Sequence, residues 1–304
     1  RTMKKLQLLL IWGALLLTGC QMMTFEDDEE NGITNKGSKT MYFRLTGFSM
    51  SNLDESRDYN PAPTRAGTDL QNATDHLLLG IYDMDGQIVD SITYQDKDDV
   101  DLPYGTFSHT LNYGKYTILA IGWNGAQQCH VHSLDSIYFS EGWVPNTFLC
   151  RQNIIVNESY SDTRTISLKR CIARFVLKFT DTIMPEEIKD FVVTFSGAGN
   201  TLNSGTRHCV QQQDFSRKID VNIDPSKVKS ITSYCFLPAD STSVSVNVAA
   251  HDINGGTIAE RTFTEVPMKI NYSTNYTGKF FPISSVSETV TFEVEFDGEF
   301  NNEF

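Results

Sequence analysis

From residue 39 onward, short runs of Val, Ile, Tyr, Phe and Thr are bounded by Gly, Asn, Asp and Pro. No segment repeats its apolar residues at helical spacing through three turns, so the pattern predicts an all-β protein. The first strand falls at 41–49, where alternation is weak. Residues 77–83 and 87–94 flank Asp85-Gly86, and the glycine supplies the positive φ that a tight hairpin needs. Thr106–Asn112 and 115–122 flank Tyr113 and Gly114 as a second hairpin. Further strands are predicted at 154–156, 164–168, 172–180, 191–195, 231–236, 244–252, 257–263, 276–281 and 290–296. Pro185, Glu186, Glu187 and Ile188 fit a single helical turn with proline at its first position.

A faint internal repeat places a boundary. The run from Tyr82 to Ile88 is similar to that from His251 to Ile258, and each is followed by Asn-Tyr and a further Tyr-Thr: Asn112, Tyr113, Tyr116, Thr117 and Asn271, Tyr272, Tyr276, Thr277. Strand signals at intervals of about 8 to 12 residues fit a β-sandwich in each half. The expected organisation is two tandem sandwiches, residues 39–163 and 164–304, after a leader at 1–19 and an acidic tether at 20–38.

The leader carries a different pattern. Lys4 and Lys5 precede an apolar run at 6–17, whose 12 residues fall short of the roughly 20 that a spanning helix needs. This is the build of a secretory signal peptide, with Arg1 and Thr2 upstream of the start at Met3. It closes on Leu16, Leu17, Thr18, Gly19 and Cys20, which resembles the lipobox of bacterial lipoproteins. That resemblance implies a diacylglycerol on the Cys20 thiol, cleavage before Cys20 and further acylation such as palmitate. At about 0.8 kcal/mol per buried methylene, two or three chains hold a protein on a bilayer almost permanently.

With 40% hydrophobic and 21% charged residues, the 304-residue chain is an ordinary globular protein. Its net charge is −13, which disfavours an unassisted nucleic-acid surface. Losing Arg1, Lys4 and Lys5 with the leader takes the net charge to −16. Glu26, Asp27, Asp28, Glu29 and Glu30 form a block just behind the anchor. The block resembles the acidic signal that sends lipoproteins of the Bacteroidales to the cell exterior, and it also reads as a self-repelling extended tether. Cys129, Cys150, Cys171, Cys209 and Cys235 cannot all pair internally, and none sits at C-x-x-C spacing. They read as small buried hydrophobes, with one disulfide left open.

Candidate chemistry is sparse. The chain holds no nucleophile elbow, phosphate-binding glycine loop, His-Glu-x-x-His run or EF-hand loop, so no enzymatic activity is expected. Cys129, His130 and His132 offer ligands that a polar edge strand would equally explain. Asp96, Asp98, Asp99 and Asp101 are rich enough in oxygen for Ca²⁺ and equally read as a solvated loop. No metal and no other cofactor is expected. Gly197 and Gly199 read as a turn. Trp123 and Trp143 would suit a sugar-stacking platform, although large aromatics in such a chain belong first to the core.

The order of these features resembles the fimbrillin and fimbrial-anchor lipoproteins of the Bacteroidales, the subunits of type V pili. The matching pieces are the lipobox at Cys20; a first strand followed by Thr64, Arg65 and Ala66; the hairpin at 77–89; and Gly114, Lys115, Tyr116 leading into 117–121. In the second half they are the run from Leu168 to Arg174, and Val266, Pro267, Met268, Lys269, Ile270, Asn271, Tyr272, Ser273, Thr274 with Gly278 beyond. The resemblance implies two transthyretin-like, Greek-key β-sandwich domains and a non-enzymatic subunit held on the outer membrane. Its partners would be other pilus subunits, joined by strand or edge contacts. It also implies proteolytic processing between Arg65 and Ala66 in stalk subunits, which frees the first strand for replacement by a neighbour's; in anchor subunits the same segment stays whole. The short polar tail at 297–304 leans toward an anchor or accessory role. Four tripeptides, beginning at Asp90, Asp135, Asp181 and Asp240, look like the O-glycosylation motif of exported proteins in this group. The alternative role is a surface glycan- or host-binding lipoprotein that uses aromatics on a sandwich face.

Overall fold

Alternation at the start of the folded region produces β1 (Ser38–Thr46), which turns Met41, Phe43 and Leu45 inward and Thr40, Tyr42 and Arg44 to solvent. The computed structural model describes residues 37–47, 66–98, 103–182, 184–221, 224–281 and 292–299. Residues 33–304 cluster as one compact unit. After β1 come a short helix α1 (Ala66–Ala73), β2 (His76–Tyr82), β3 (Thr93–Asp96), β4 (Thr106–Asn112) and β5 (Gly114–Trp123). A small hairpin of β6 (Cys129–Ser133) and β7 (Ser136–Phe139) precedes β8 (Thr147–Val156), β9 (Thr163–Ser167) and β10 (Lys169–Arg170). Apart from the β6–β7 hairpin, which forms a sheet of its own, these strands form two facing sheets, ordered β4-β1-β9 and β10-β8-β5-β2-β3.

The second half repeats the plan with β11 (Ala173–Phe179), β12 (Ile188–Ser196), β13 (Phe215–Asp220), β14 (Ser230–Cys235), β15 (Ser241–Asp252), β16 (Thr257–Lys269), β17 (Tyr272–Gly278) and β18 (Phe292–Glu299). Its sheets are β14-β11-β17-β18 and β13-β12-β15-β16. Apart from β10 and β18, the pairings correspond strand for strand. β1 lies antiparallel to β4 and parallel to β9, as β11 lies antiparallel to β14 and parallel to β17. β2 sits between β3 and β5 as β12 sits between β13 and β15, and β5 pairs β8 as β15 pairs β16. The fold is therefore two β-sandwiches in tandem, as expected.

The repeat seen in the sequence is not this one. The turns after Tyr82 and His251 share one geometry: Asp83 and Asp252 each accept, through Oδ1, the N–H groups two and four residues on. Gly86 and Gly255 supply φ of 77° and 83°. One turn follows the second strand of its sandwich, however, and the other joins β15 to β16, the equivalents of β5 and β8. The likeness belongs to the turn chemistry, while the duplication shows in the strand pairing.

Other expectations are corrected. Residues 106–112 and 115–122 do not form a hairpin. β4 carries one apolar face and joins β1, whereas β5 is apolar on both faces and lies in the opposite sheet between β2 and β8, so the chain crosses the sandwich at Tyr113. The expected helical turn at Pro185 is a plain turn leading into β12. The expected boundary between residues 163 and 164 falls inside β9, and both β9 and β10 pair within the first two sheets. One apolar cluster fills the first sandwich; a second runs from the outer face of its five-stranded sheet, through β6 and β7, into the second sandwich.

Candidate functional site

β1 is the feature with functional geometry, because a strand held from both sides closes its own sandwich. Met41, Phe43 and Leu45 are 1%, 0% and 4% exposed and occupy the first core among Leu111, Phe107, Ile118 and Ile166. At its end the Leu45 N–H donates to the Gly105 carbonyl at 2.7 Å. Gly105 has φ of 84°, and a Cβ there would lie 2.8 Å from Leu70 Cδ2 and 3.1 Å from the Leu45 carbonyl oxygen, so only glycine lets β1 and α1 meet at this point. Gln95 Oε1 fixes the loop by accepting the Gly105 N–H at 2.7 Å. Beside it the buried Tyr104 hydroxyl donates to the Thr74 carbonyl at 3.1 Å, and burial raises its pKa. At the opposite end Lys39 donates to the carbonyls of Glu158 and Tyr160.

A polar bridge ties β4 to the facing sheet. His109, inward on β4 and packed near Phe43, lies 3.2 Å through Nδ1 from Asp90 Oδ2 and 3.2 Å through Nε2 from Thr93 Oγ1. The Asp90 carboxylate also accepts the Ser91 N–H, and this bond, helped by His109, holds its pKa below the ordinary value. No sequence motif marks the bridge, since its members are 16 and 19 residues apart. The arrangement pins two sheets together.

Residues 124–146 form a latch between the sandwiches. Ile137 and Leu202 exchange main-chain hydrogen bonds of 2.9 and 2.7 Å, the Ser204 hydroxyl donates to the Leu134 carbonyl, and Asn200 Nδ2 donates to that of Gly142. The Arg217 guanidinium lies 4.1 Å over the Trp143 ring, whose Nε1 donates to Glu141.

The candidates from sequence are placed as follows. Cys20 and Arg65 lie outside the described residues; Ala66 is the first residue of α1. Trp123 is a core side chain whose Nε1 donates to the Gln127 carbonyl, and Trp143 is held under Arg217, so neither offers an open platform. His130 stacks on Tyr138 across the β6–β7 hairpin. Asp96 is taken up by His76 at 2.5 Å, Asp98 is exposed, and Asp99 and Asp101 lie outside the described residues. Among the described residues no group of three His, Cys, Asp or Glu side chains could hold a metal. None of the five described cysteines forms a disulfide, and burial pushes the thiol of Cys171 up to about 12. Gly197 is in a turn, with φ of 88°. No described helix is long and apolar enough to cross a membrane.

A model of a family of unknown function (DUF6562) matches residues 144–304. Among curated proteins none matches. Solved structures do. A suspected polysaccharide-binding protein (DUF1812) from Bacteroides thetaiotaomicron is 10% identical, with a TM-score of 0.50, over 86% of this chain and 99% of that one. The fimbrial anchor protein Mfa2 from Porphyromonas gingivalis is 12% identical, with a TM-score of 0.43, over 86% and 98%. A fimbrial assembly protein from Parabacteroides distasonis is 12% identical, with a TM-score of 0.37, over 86% and 99%. The likeness to the first of these establishes a shared fold.

Proposed function

We propose, for a chain that belongs to a family of unknown function (DUF6562), the role of a fimbrial anchor or accessory subunit: a non-enzymatic surface lipoprotein, attached to the outer membrane through acylated Cys20, that tethers or caps a pilus and serves adhesion. The observation that carries this reading is β1 in the middle of its own sheet, flanked on both sides. A sandwich whose central strand is its own offers no gap inside the β4-β1-β9 sheet for a neighbour's strand to fill, so the copy with β1 in place ends a row built by that exchange. If the chain were cut after Arg65, β1 would lose its covalent tie to α1, and its two ladders and its buried side chains would hold it. A neighbour's strand could then take the position, satisfying the main-chain groups of β4 and β9 and refilling the pockets of Met41, Phe43 and Leu45.

The N-terminal sequence and mass of the protein recovered from cells test the role. An acylated Cys20 with residues 20–65 still attached supports the anchor. A start at Ala66 would overturn it in favour of a polymerising subunit, and an unacylated protein free in the periplasm would overturn both. Deleting the gene should release fimbriae into the medium; unchanged attachment and length would contradict the role.

A further inference from the structure

The correspondence of the two sandwiches leaves two strands unmatched, the two-residue β10 beside β8 in the first and β18 beside β17 in the second. In the second sandwich β18 lies antiparallel along the outer edge of β17, from Gly278 opposite Phe292 to Tyr272 opposite Glu299. The equivalent of β17 in the first sandwich is β9. Among the described residues, no strand pairs with the outer side of β9.

The backbone of that edge faces outward. In a parallel pair alternate residues bond the neighbouring strand. Toward β1, Tyr42 N–H donates to the Asp162 carbonyl and Leu168 N–H donates to that of Thr46, so the even-numbered residues serve that ladder. Thr163, Thr165 and Ser167 therefore direct their N–H and carbonyl groups away from β1. Thr163 is met locally by the Ser161 hydroxyl; Thr165 and Ser167 form the open stretch.

We infer that the outer edge of β9 is an acceptor site for an extended strand with alternating apolar and acidic residues, supplied by another protein and laid antiparallel along Thr163–Ser167. The occupant's chemistry is read from the same molecule. β18 follows Phe292, Glu293, Val294, Glu295, Phe296, Asp297 in strict alternation. Aligning the registers of β1–β9 and β11–β17 places Phe43 with Phe175, Leu45 with Leu177 and Ile166 with Tyr276, all of them buried. Thr165 then corresponds to Asn275, which stands opposite Glu295. Charge agrees with this assignment. Arg44 is exposed on the outer face beside Thr165, and Arg164 lies 5.3 Å over the Tyr160 ring with its Nε buried and without a hydrogen-bond partner. Arg44 stands on β1, one strand in from the edge and on the outer face where the residue matching Glu295 would fall, so it favours an acidic strand there, whereas Arg164 shares the register of Phe43 on the opposite face. The site does not require release of β1, so it stands or falls separately from the role proposed above.

The test uses the full chain and a fluorescein-labelled peptide spanning residues 290–299, read by anisotropy and by hydrogen exchange. Binding should protect amides at 163–167 and weaken as salt rises. Thr165→Pro removes an outward N–H without touching the β1 ladder and should weaken binding by about tenfold, whereas Thr165→Ala should leave it unchanged. Protection at 272–278 instead would show that the peptide only displaces β18, and would overturn the assignment. So would no binding, or equal binding by a folded Thr165→Pro chain. Should that variant fail to fold, hydrogen exchange on the unaltered chain decides alone.

Discussion

Replacing Phe43 by alanine tests whether β1 is structural core. The ring is fully buried between the two sheets, and a Phe→Ala change at such a site costs about 3–5 kcal/mol from lost transfer energy and the cavity left behind. That is a large share of the roughly 5–15 kcal/mol that holds a folded unit together. At about 2–4 °C per kcal/mol for a unit of this size, the thermal midpoint should fall by roughly 10 °C. Circular dichroism melts report it, and Trp123 in the neighbouring core provides a fluorescence signal for the same transition. Tyr42→Ala is the matched control: its side chain faces solvent at 43% exposure, and its loss should cost less than about 1 kcal/mol. A Phe43→Ala chain within about 1 kcal/mol of the parent would refute the placement of β1 in the core.

Three other outcomes follow from the same geometry. Gly105→Ala combines positive φ with a clash at Leu70 and should destabilise by about 1–3 kcal/mol in urea titrations; a neutral result would mean that the loop relaxes freely. Burial alone would raise the pKa of Asp190, but hydrogen bonds from His251 and Lys218 outweigh it and hold the carboxylate below the ordinary 3.8. Its contribution is therefore complete above the unfolded value and disappears as pH falls from there through the lower folded value, so Asp190→Asn should flatten the acid limb of the stability curve below about pH 4; an unchanged limb would refute the pairing. Because one core cluster spans the latch and both sides of the junction, unfolding should be a single transition, and two resolved calorimetric peaks would contradict that continuity.

What the sequence revealed, and what it hid, follows from which forces act locally. The all-β class is legible because short runs of Val, Ile, Tyr, Phe and Thr stop at Gly, Asn, Asp and Pro, and the structure turns Met41, Phe43 and Leu45, or Phe107, His109 and Leu111, to one buried face even where the alternation along the whole run is weak. Tyr113 and Gly114 imitate a hairpin because a tight turn looks alike whether its strands pair or part to opposite sheets. β13 escaped notice because it is short and turns Ser216, Lys218 and Asp220 to solvent, and β7 because it has only four residues, whereas β6 shows in the sequence as no more than a polar edge strand around His130 and His132. The sandwich duplication left little trace in residue identity, because Ile166 and Tyr276 fill equivalent space with unlike side chains. The bridge of Asp90, Thr93 and His109 was illegible for another reason: long-range pairing brings together residues that no spacing rule connects.

The energy of β1 bears on what a cut at Arg65 would accomplish. Three buried side chains contribute about 1.5–3 kcal/mol each, so roughly 5–9 kcal/mol of apolar burial holds the strand before its two hydrogen-bonded ladders are counted. An opening near 7 kcal/mol is reached by about one molecule in 10⁵. Cleavage removes the covalent link and leaves this figure nearly unchanged, so a cut chain would still carry its own β1. Opening the position would then require an incoming strand that replaces pairs as they break, never exposing the whole groove at once. Cut and uncut chains should accordingly melt alike in isolation and differ only when a donor strand is present. Spontaneous loss of residues 20–65 from cut protein on gel filtration would show that β1 is held far less firmly than its burial implies.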